Sequence, residues 1–184
     1  MKRVATALAL LLFCLAAACN RQQQGSTVVL IVRHAEKASD AEDSPLTEAG
    51  MQRARALAGV AADAGVSAIY TTQFRRSRDT AQPLAQRLSV TPTEVPVNLQ
   101  SPGDYGQRLA RDIIERHRGQ TVLVIGHGNT IASIAEGLTG RPPRLGDVQY
   151  SDLLIVTVPL SGTASLIRAQ YGADVAGDGM MKRP

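Results

Sequence analysis

The chain has no tryptophan, two phenylalanines and four tyrosines in 184 residues. With so few large rings, its core must be packed from Ala, Leu and Val. Cysteine is equally scarce. Cys14 lies inside an N-terminal apolar run and is lost with it, and Cys19 stands just beyond, so no intramolecular disulfide can form. A strong charge of either sign is also missing. The formal net charge is +4, and removal of Lys2 and Arg3 with a leader leaves 18 basic against 16 acidic residues, or +2. That balance is too weak for a nucleic-acid partner, and no basic stretch is interleaved with aromatics.

The first residues form a recognisable segment. Met1-Lys2-Arg3 is a short positive start, Ala5 to Leu15 is apolar, and Ala16-Ala17-Ala18 precedes Cys19. Residues 1–18 read as an export signal, too short for a spanning helix. Cleavage after Ala18 leaves either a soluble chain or one lipidated on Cys19. Leu15 sits one place earlier than in the usual lipoprotein box. The polar stretch over residues 19–26 resembles the tether of an anchored protein and favours a membrane anchor at Cys19. The expected location is therefore outside the cytoplasm, in the cell envelope, lipid-anchored or periplasmic.

What remains is about one domain in length, here residues 27–170, followed by a Gly-rich tail over 171–184 read as flexible. Val28 to Val32 is a short continuous β-branched run, as in a fully buried strand. A polar loop runs from Ala35 to Pro45. Thr47 can cap a helix to about Ala64 with Met51, Ala54, Leu57, Ala58 and Ala61 inward, and Gly65 can end it. "SAIYT" (67–71) is a second strand. A helix follows over about 77–88, with Pro83 acceptable only near a first turn. "TPTEVPVN" is extended or a short edge strand, 104–118 is helical, and His117 at its end reads as a solvated cation. "TVLVI" (121–125) is a buried strand and 129–138 a helix, and 153–158 and 164–169 close the chain as two strands. Strands alternating with helices predict an α/β three-layer sandwich: a mostly parallel central sheet, helices on both faces and one antiparallel edge strand.

Three strand ends carry basic side chains. The first strand ends in Arg33-His34, the second leads to Arg75, Arg76 and Arg78, and "TVLVI" leads into Gly126-His127-Gly128-Asn129. If these strands lie side by side, the clusters meet on one rim, where open α/β sheets place their ligands. Like charges at about 4 Å repel by roughly 4 kcal/mol at an effective dielectric of 20, so an anion belongs among them. A dianionic phosphate suits guanidinium forks, and helices beginning after Arg76 and His127 aim free N–H groups at the same place.

Taken in order, these motifs resemble the histidine phosphatase, or phosphoglycerate-mutase-like, superfamily over about Val28 to Val158. Arg33-His34-Ala35-Glu36 resembles its first signature, and Leu46-Thr47-Glu48-Ala49-Gly50 its "LTxxG" helix start. Thr72 to Ala81 is similar to its "S-x-L-x-R-A-x-Q-T-A" segment, and Gly126-His127-Gly128-Asn129 to its second-histidine motif. The resemblance implies a phosphoric monoester hydrolase of the compact single-domain branch. His34 would be the nucleophile that forms a phosphohistidine, and Arg33, Arg76 and His127 would hold the non-bridging oxygens. Cationic side chains would do the work of a metal, so no metal and no cofactor is implied. The partner would be a small phosphorylated substrate.

Several roles stay open at this level. Arg75 is a candidate substrate contact or a solvated charge. Gly128 allows close backbone approach, and Asn129 caps a helix or contacts ligand. Glu36 forms a surface pair with Lys37 or orients a basic neighbour. The general acid has no clear owner. Gly128 stands where one branch carries Asp after the second histidine, and Val97-Asn98-Leu99-Gln100 lacks the carboxylate of the mutase branch. Glu94, Asp104 and Asp147 are the nearest candidates. Two rival readings follow: a phosphoglycerate-type mutase, or a non-catalytic envelope lipoprotein using the fold as an anion-binding or interaction module.

Overall fold

The computed structural model describes residues 25–172. The export signal, Cys19, most of the tether and the tail beyond 172 lie outside the described residues. Six strands form one sheet in the order β3-β2-β4-β1-β5-β6. These are β1 (Thr27–Arg33), β2 (Val66–Thr71), β3 (Thr93–Glu94), β4 (Thr121–Gly126), β5 (Asp152–Val158) and β6 (Ser165–Gln170). Strands β1 to β4 are mutually parallel, with Arg33 opposite Gly126 and Tyr70 opposite Val124. β5 runs against both β1 and β6. The last two strands supply the antiparallel pairing, as expected, with β5 the reversed strand and β6 at the edge outside it.

Four helices cover the two faces: α1 (Glu48–Asp63), α2 (Arg75–Leu88), α3 (Tyr105–Arg116) and α4 (Ile131–Thr139). The period-two alternation of β1 divides the core between them. Val29 and Ile31 join Leu109, Ile113, Ile131 and Ile134 beneath α3 and α4. Leu30 and Val32 join Leu57, Ala61, Ala81 and Leu84 beneath α1 and α2. The layers are those expected from the buried continuous strands.

Local chemistry sets the element ends. Thr47 caps α1 by accepting the Gly50 N–H at 3.0 Å. The inward face of α1 includes Arg53 as well as the expected Ala54, Leu57, Ala58 and Ala61. Gly50 cannot be larger, because a Cβ there would lie 2.4 Å from the Glu36 carbonyl oxygen. Gly106 brings α3 against α4 in the same way, its absent Cβ falling 2.3 Å from the Ser133 carbonyl carbon.

Helix α2 differs from expectation. It starts two residues earlier, at Arg75, and runs through Pro83 in its interior. An interior proline costs about 3 kcal/mol. Here the buried Thr80, Ala81 and Leu84 hold the helix down around it, and the Asp43 carboxylate accepts the first N–H, that of Arg75, at 2.6 Å. "TPTEVPVN" yields only two strand residues, since Pro92 and Pro96 flank β3 and remove ladder donors. The packed chain also continues past residue 170. Tyr171 is buried, and its N–H donates to the Ser151 carbonyl at 2.9 Å.

Candidate active site

The parallel strands β1, β2 and β4 end on one rim, and each delivers its basic element there. His34 follows β1 and extends the ladder one step, its N–H donating to Gly126 O at 3.0 Å. The ring is buried, with Nδ1 2.8 Å from the Ala35 carbonyl. A carbonyl only accepts, so Nδ1 carries the hydrogen and the lone pair sits on Nε2. The Thr80 hydroxyl fixes this segment, accepting the Ala35 N–H at 3.0 Å and donating to the Arg76 carbonyl at 2.7 Å.

His127 follows β4. Its backbone N–H donates to Thr130 Oγ1 at 3.0 Å, its Nε2 lies 2.8 Å from Thr72 Oγ1, and the edge of Phe74 meets its ring at 5.3 Å. The centroids of His34 and His127 are 5.2 Å apart. Burial is the main cause holding both imidazoles neutral. It lowers His34 to about 4, helped by the Arg76, Arg33 and Lys37 charges and opposed by the Ala35 carbonyl. It lowers His127 to about 3, helped by His34 and the two arginines.

The guanidinium groups of Arg33 and Arg76 complete the cluster. Arg76 is buried, stacks over Phe74 at 4.4 Å and donates from Nη1 to the Glu42 carbonyl at 2.6 Å. Arg33 lies over the Tyr150 ring at 4.2 Å and donates to the Val148 carbonyl at 3.2 Å and the Tyr150 hydroxyl at 3.4 Å. Neither has a carboxylate partner among the described residues. Arg33 Nε, Arg76 Nε and His127 Nδ1 are buried without any hydrogen-bond partner. Buried polar atoms are normally satisfied, so three orphans in one cluster of positive character mark a place for an anion. Among the described residues no group of His, Cys, Asp and Glu could hold a metal ion.

The remaining candidates separate. Gly128 is exposed beside Arg33, with room for a Cβ at 3.8 Å from the guanidinium carbon. Asn129 does not cap the helix, whose N-cap is Thr130; it is exposed, and its Nδ2 donates to the Leu99 carbonyl at 2.7 Å. The Arg75 side chain runs along α2 to Asp79 at 3.5 Å. Of the general-acid candidates, Glu94 pairs with Arg78 at 3.5 Å and Asp104 with Arg108 at 2.8 Å. Asp147 is exposed, with its carbonyl bound by Arg168. No hydrogen bond or ion pair joins these three to the histidines or to Arg33 and Arg76. Glu36 does orient a basic neighbour, Arg53, whose Nε donates to it at 2.8 Å, while Lys37 pairs with Asp40 at 2.6 Å. His117, expected to be solvated, is half-buried at the end of α3, with Nε2 3.1 Å from the Tyr70 hydroxyl.

Tyr150, Thr72 and Phe74 had no role in the sequence reading. Tyr150 precedes β5, and because β5 is reversed, its start rather than its end lies on the active rim. A search of strand ends alone passes over it. A hollow of about 630 Å³ along α3 holds none of the site residues. The Tyr70 hydroxyl there donates to Asp112 at 2.8 Å and Asp112 binds Arg116, a network already satisfied.

Residues 29–100 match the histidine phosphatase superfamily (branch 1). No curated protein sequence matches the chain. Among solved structures, a mycobacterial glucosyl-3-phosphoglycerate phosphatase is similar at 16% identity and a TM-score of 0.61, covering 77% of this chain and 97% of its own. The protein histidine phosphatase SixA, complexed with tungstate, is similar at 21% identity and a TM-score of 0.57, with coverage of 78% and 96%. A putative alpha-ribazole-5'-P phosphatase from Escherichia coli K-12 is similar at 14% identity and a TM-score of 0.65, with coverage of 84% and 100%. These likenesses concern the fold.

Proposed function

We propose that the chain, which carries the fold and the branch 1 sequence match of the histidine phosphatase superfamily, hydrolyses a phosphomonoester or related phosphoryl compound through a phosphohistidine on His34. The observation that carries this reading is the free lone pair of His34 Nε2, set by the Nδ1 bond to Ala35 O, beside three orphaned polar atoms of Arg33, Arg76 and His127. Nε2 attacks phosphorus, the P–O ester bond breaks, and a P–N bond forms. In the tautomer with the proton on Nδ1, the Thr72 hydroxyl donates to His127 Nε2 and the unpartnered Nδ1–H is available as a donor. Together with the two guanidinium groups it takes the non-bridging oxygens and the charge that builds on them. Water then attacks phosphorus, the P–N bond breaks, and inorganic phosphate leaves. A module that only bound anions would gain nothing from an unprotonated nucleophilic nitrogen.

Turnover of an aryl phosphate by wild type and by His34→Ala, each in the presence of a chelator, tests the reading. Wild-type turnover that survives chelation and is abolished in the variant supports it, and equal rates in the two proteins refute it.

The chain is also proposed to be exported and lipid-anchored at Cys19. β1 runs from Thr27 to Arg33, about 20 Å at 3.3 Å per residue, so the N-terminal connection and the His34 rim lie at opposite ends of the sheet. An anchor at Cys19 would join the domain at the end of the sheet remote from the active rim. The mass of the mature N-terminal peptide tests the lipidation.

A further inference from the structure

Phosphoryl transfer to His34 needs an acid for the departing oxygen, and Glu94 and Asp104 are occupied elsewhere. The loop between β1 and α1 brings another carboxylate to the rim. Residues 38–45 are pinned to the start of α2 at two adjacent points. Arg76 Nη1 donates to the Glu42 carbonyl at 2.6 Å, and Asp43 accepts the Arg75 N–H at 2.6 Å. A hollow of about 330 Å³ lies there, walled by Lys37, Asp40, Glu42, Phe74, Arg76 and Gln100 among others. Only two carboxylates are in that wall. Asp40 is held by Lys37 at 2.6 Å. Glu42 is exposed, its carboxylate has no hydrogen-bond or ion-pair partner among the described residues, and its charge acts on Arg76. A second hollow, of about 410 Å³, shares Glu42, Phe74 and Gln100 and continues along the 96–100 segment. A leaving group bound beside Arg76 therefore has room to extend, with Glu42 at the junction of the two spaces.

We propose that Glu42 is the general acid–base of the reaction, an inference that rests on the phosphatase reading above. In the first step the protonated Glu42 carboxyl gives its proton to the ester oxygen as the P–O bond breaks, and the product leaves as a neutral alcohol. In the second step the Glu42 carboxylate takes a proton from the attacking water. The P–N electron pair returns to His34 Nε2, and the cycle closes with both residues restored. Gln100, in the segment where the related mutases carry a carboxylate, can bind a leaving group but has no proton of this kind to give.

Leaving-group dependence separates an acid from a positioning residue. The full mature chain is assayed as wild type, Glu42→Gln and Glu42→Asp with phenyl phosphate and 2,4-dinitrophenyl phosphate. The quantity read is kcat/KM, which reports transfer to His34. The basic phenoxide needs a proton and the nitrated one does not. Glu42→Gln is expected to lose about 100-fold on phenyl phosphate, within the range for general acid catalysis, and only a few-fold on the dinitrophenyl ester, with Glu42→Asp recovering part of the loss. An equal loss on both esters, or no loss on either, overturns the role of Glu42 while leaving the phosphatase reading in place. Absence of wild-type turnover on both esters would instead remove the phosphatase reading and this role with it.

Discussion

The hydroxyl of Thr80 lies 3.0 Å from the amide of Ala35 and ties the backbone next to the nucleophile to helix α2. The same oxygen donates to the carbonyl of Arg76 at 2.7 Å. One side chain thus sets the distance between His34 and Arg76. Thr80→Val keeps the volume and strands the buried Ala35 N–H. It is expected to cost about 1–3 kcal/mol in urea unfolding and to lower kcat/KM, while Thr80→Ser restores both.

Gly50 tests the other side of the His34 segment. A methyl group there would sit 2.4 Å from the Glu36 carbonyl oxygen, and neither the backbone at 36 nor the first turn of α1 can yield without moving the chain that follows His34. Gly50→Ala should destabilise by about 1–3 kcal/mol, as overpacking does, and should lower activity as well. Gly59, on an open face of the same helix with nothing within 4 Å of its missing Cβ, is the control. Gly59→Ala should stabilise by a few tenths of a kcal/mol to about 1 kcal/mol.

Tyr150 is expected to act through its ring. Arg33 stacks on it at 4.2 Å, whereas the hydroxyl contact is a long 3.4 Å. Tyr150→Phe should leave KM within about threefold. Tyr150→Ala should raise it about tenfold, the equivalent of roughly 1.4 kcal/mol of cation–π stacking. Steady-state kinetics on an aryl phosphate would read both.

Stability should fall on the acid side for a specific reason. His34 titrates at about 4 and His127 at about 3 in the folded chain, against 6.5 as the ordinary value. The folded values are the lower ones, so between them and 6.5 the unfolded chain binds protons that the folded chain does not. The contribution of these residues to stability is therefore complete above pH 6.5, declines as pH falls, and stops declining near pH 3. Urea midpoints measured from pH 8 to 4 should show this slope. A His34→Gln, His127→Gln double variant should be flatter.

What could be read in the sequence was what periodicity and strand direction encode. The runs 28–32 and 121–125 are apolar throughout, which implies burial on both faces and parallel neighbours. Parallel neighbours put His34, Arg76 and His127 on one rim. Tyr150 escaped because a reversed strand presents its beginning there, and nothing local in "QYSDLL" announces the reversal. The loop over 38–45 has no periodicity, so its grip on Arg76 through a backbone carbonyl left no side-chain signal. Pro83 argued for a helix boundary by its missing N–H, and the buried residues on either side of it outweighed that loss.

Rapid quench of the wild-type chain with labelled aryl phosphate, followed by mapping of the labelled peptide, tests phosphohistidine formation most directly. Label that is lost in acid, kept in base, carried by the peptide containing His34 and absent from His34→Ala is the predicted result. Steady turnover with no label on that residue, or label transferred undiminished in His34→Ala, would contradict the account.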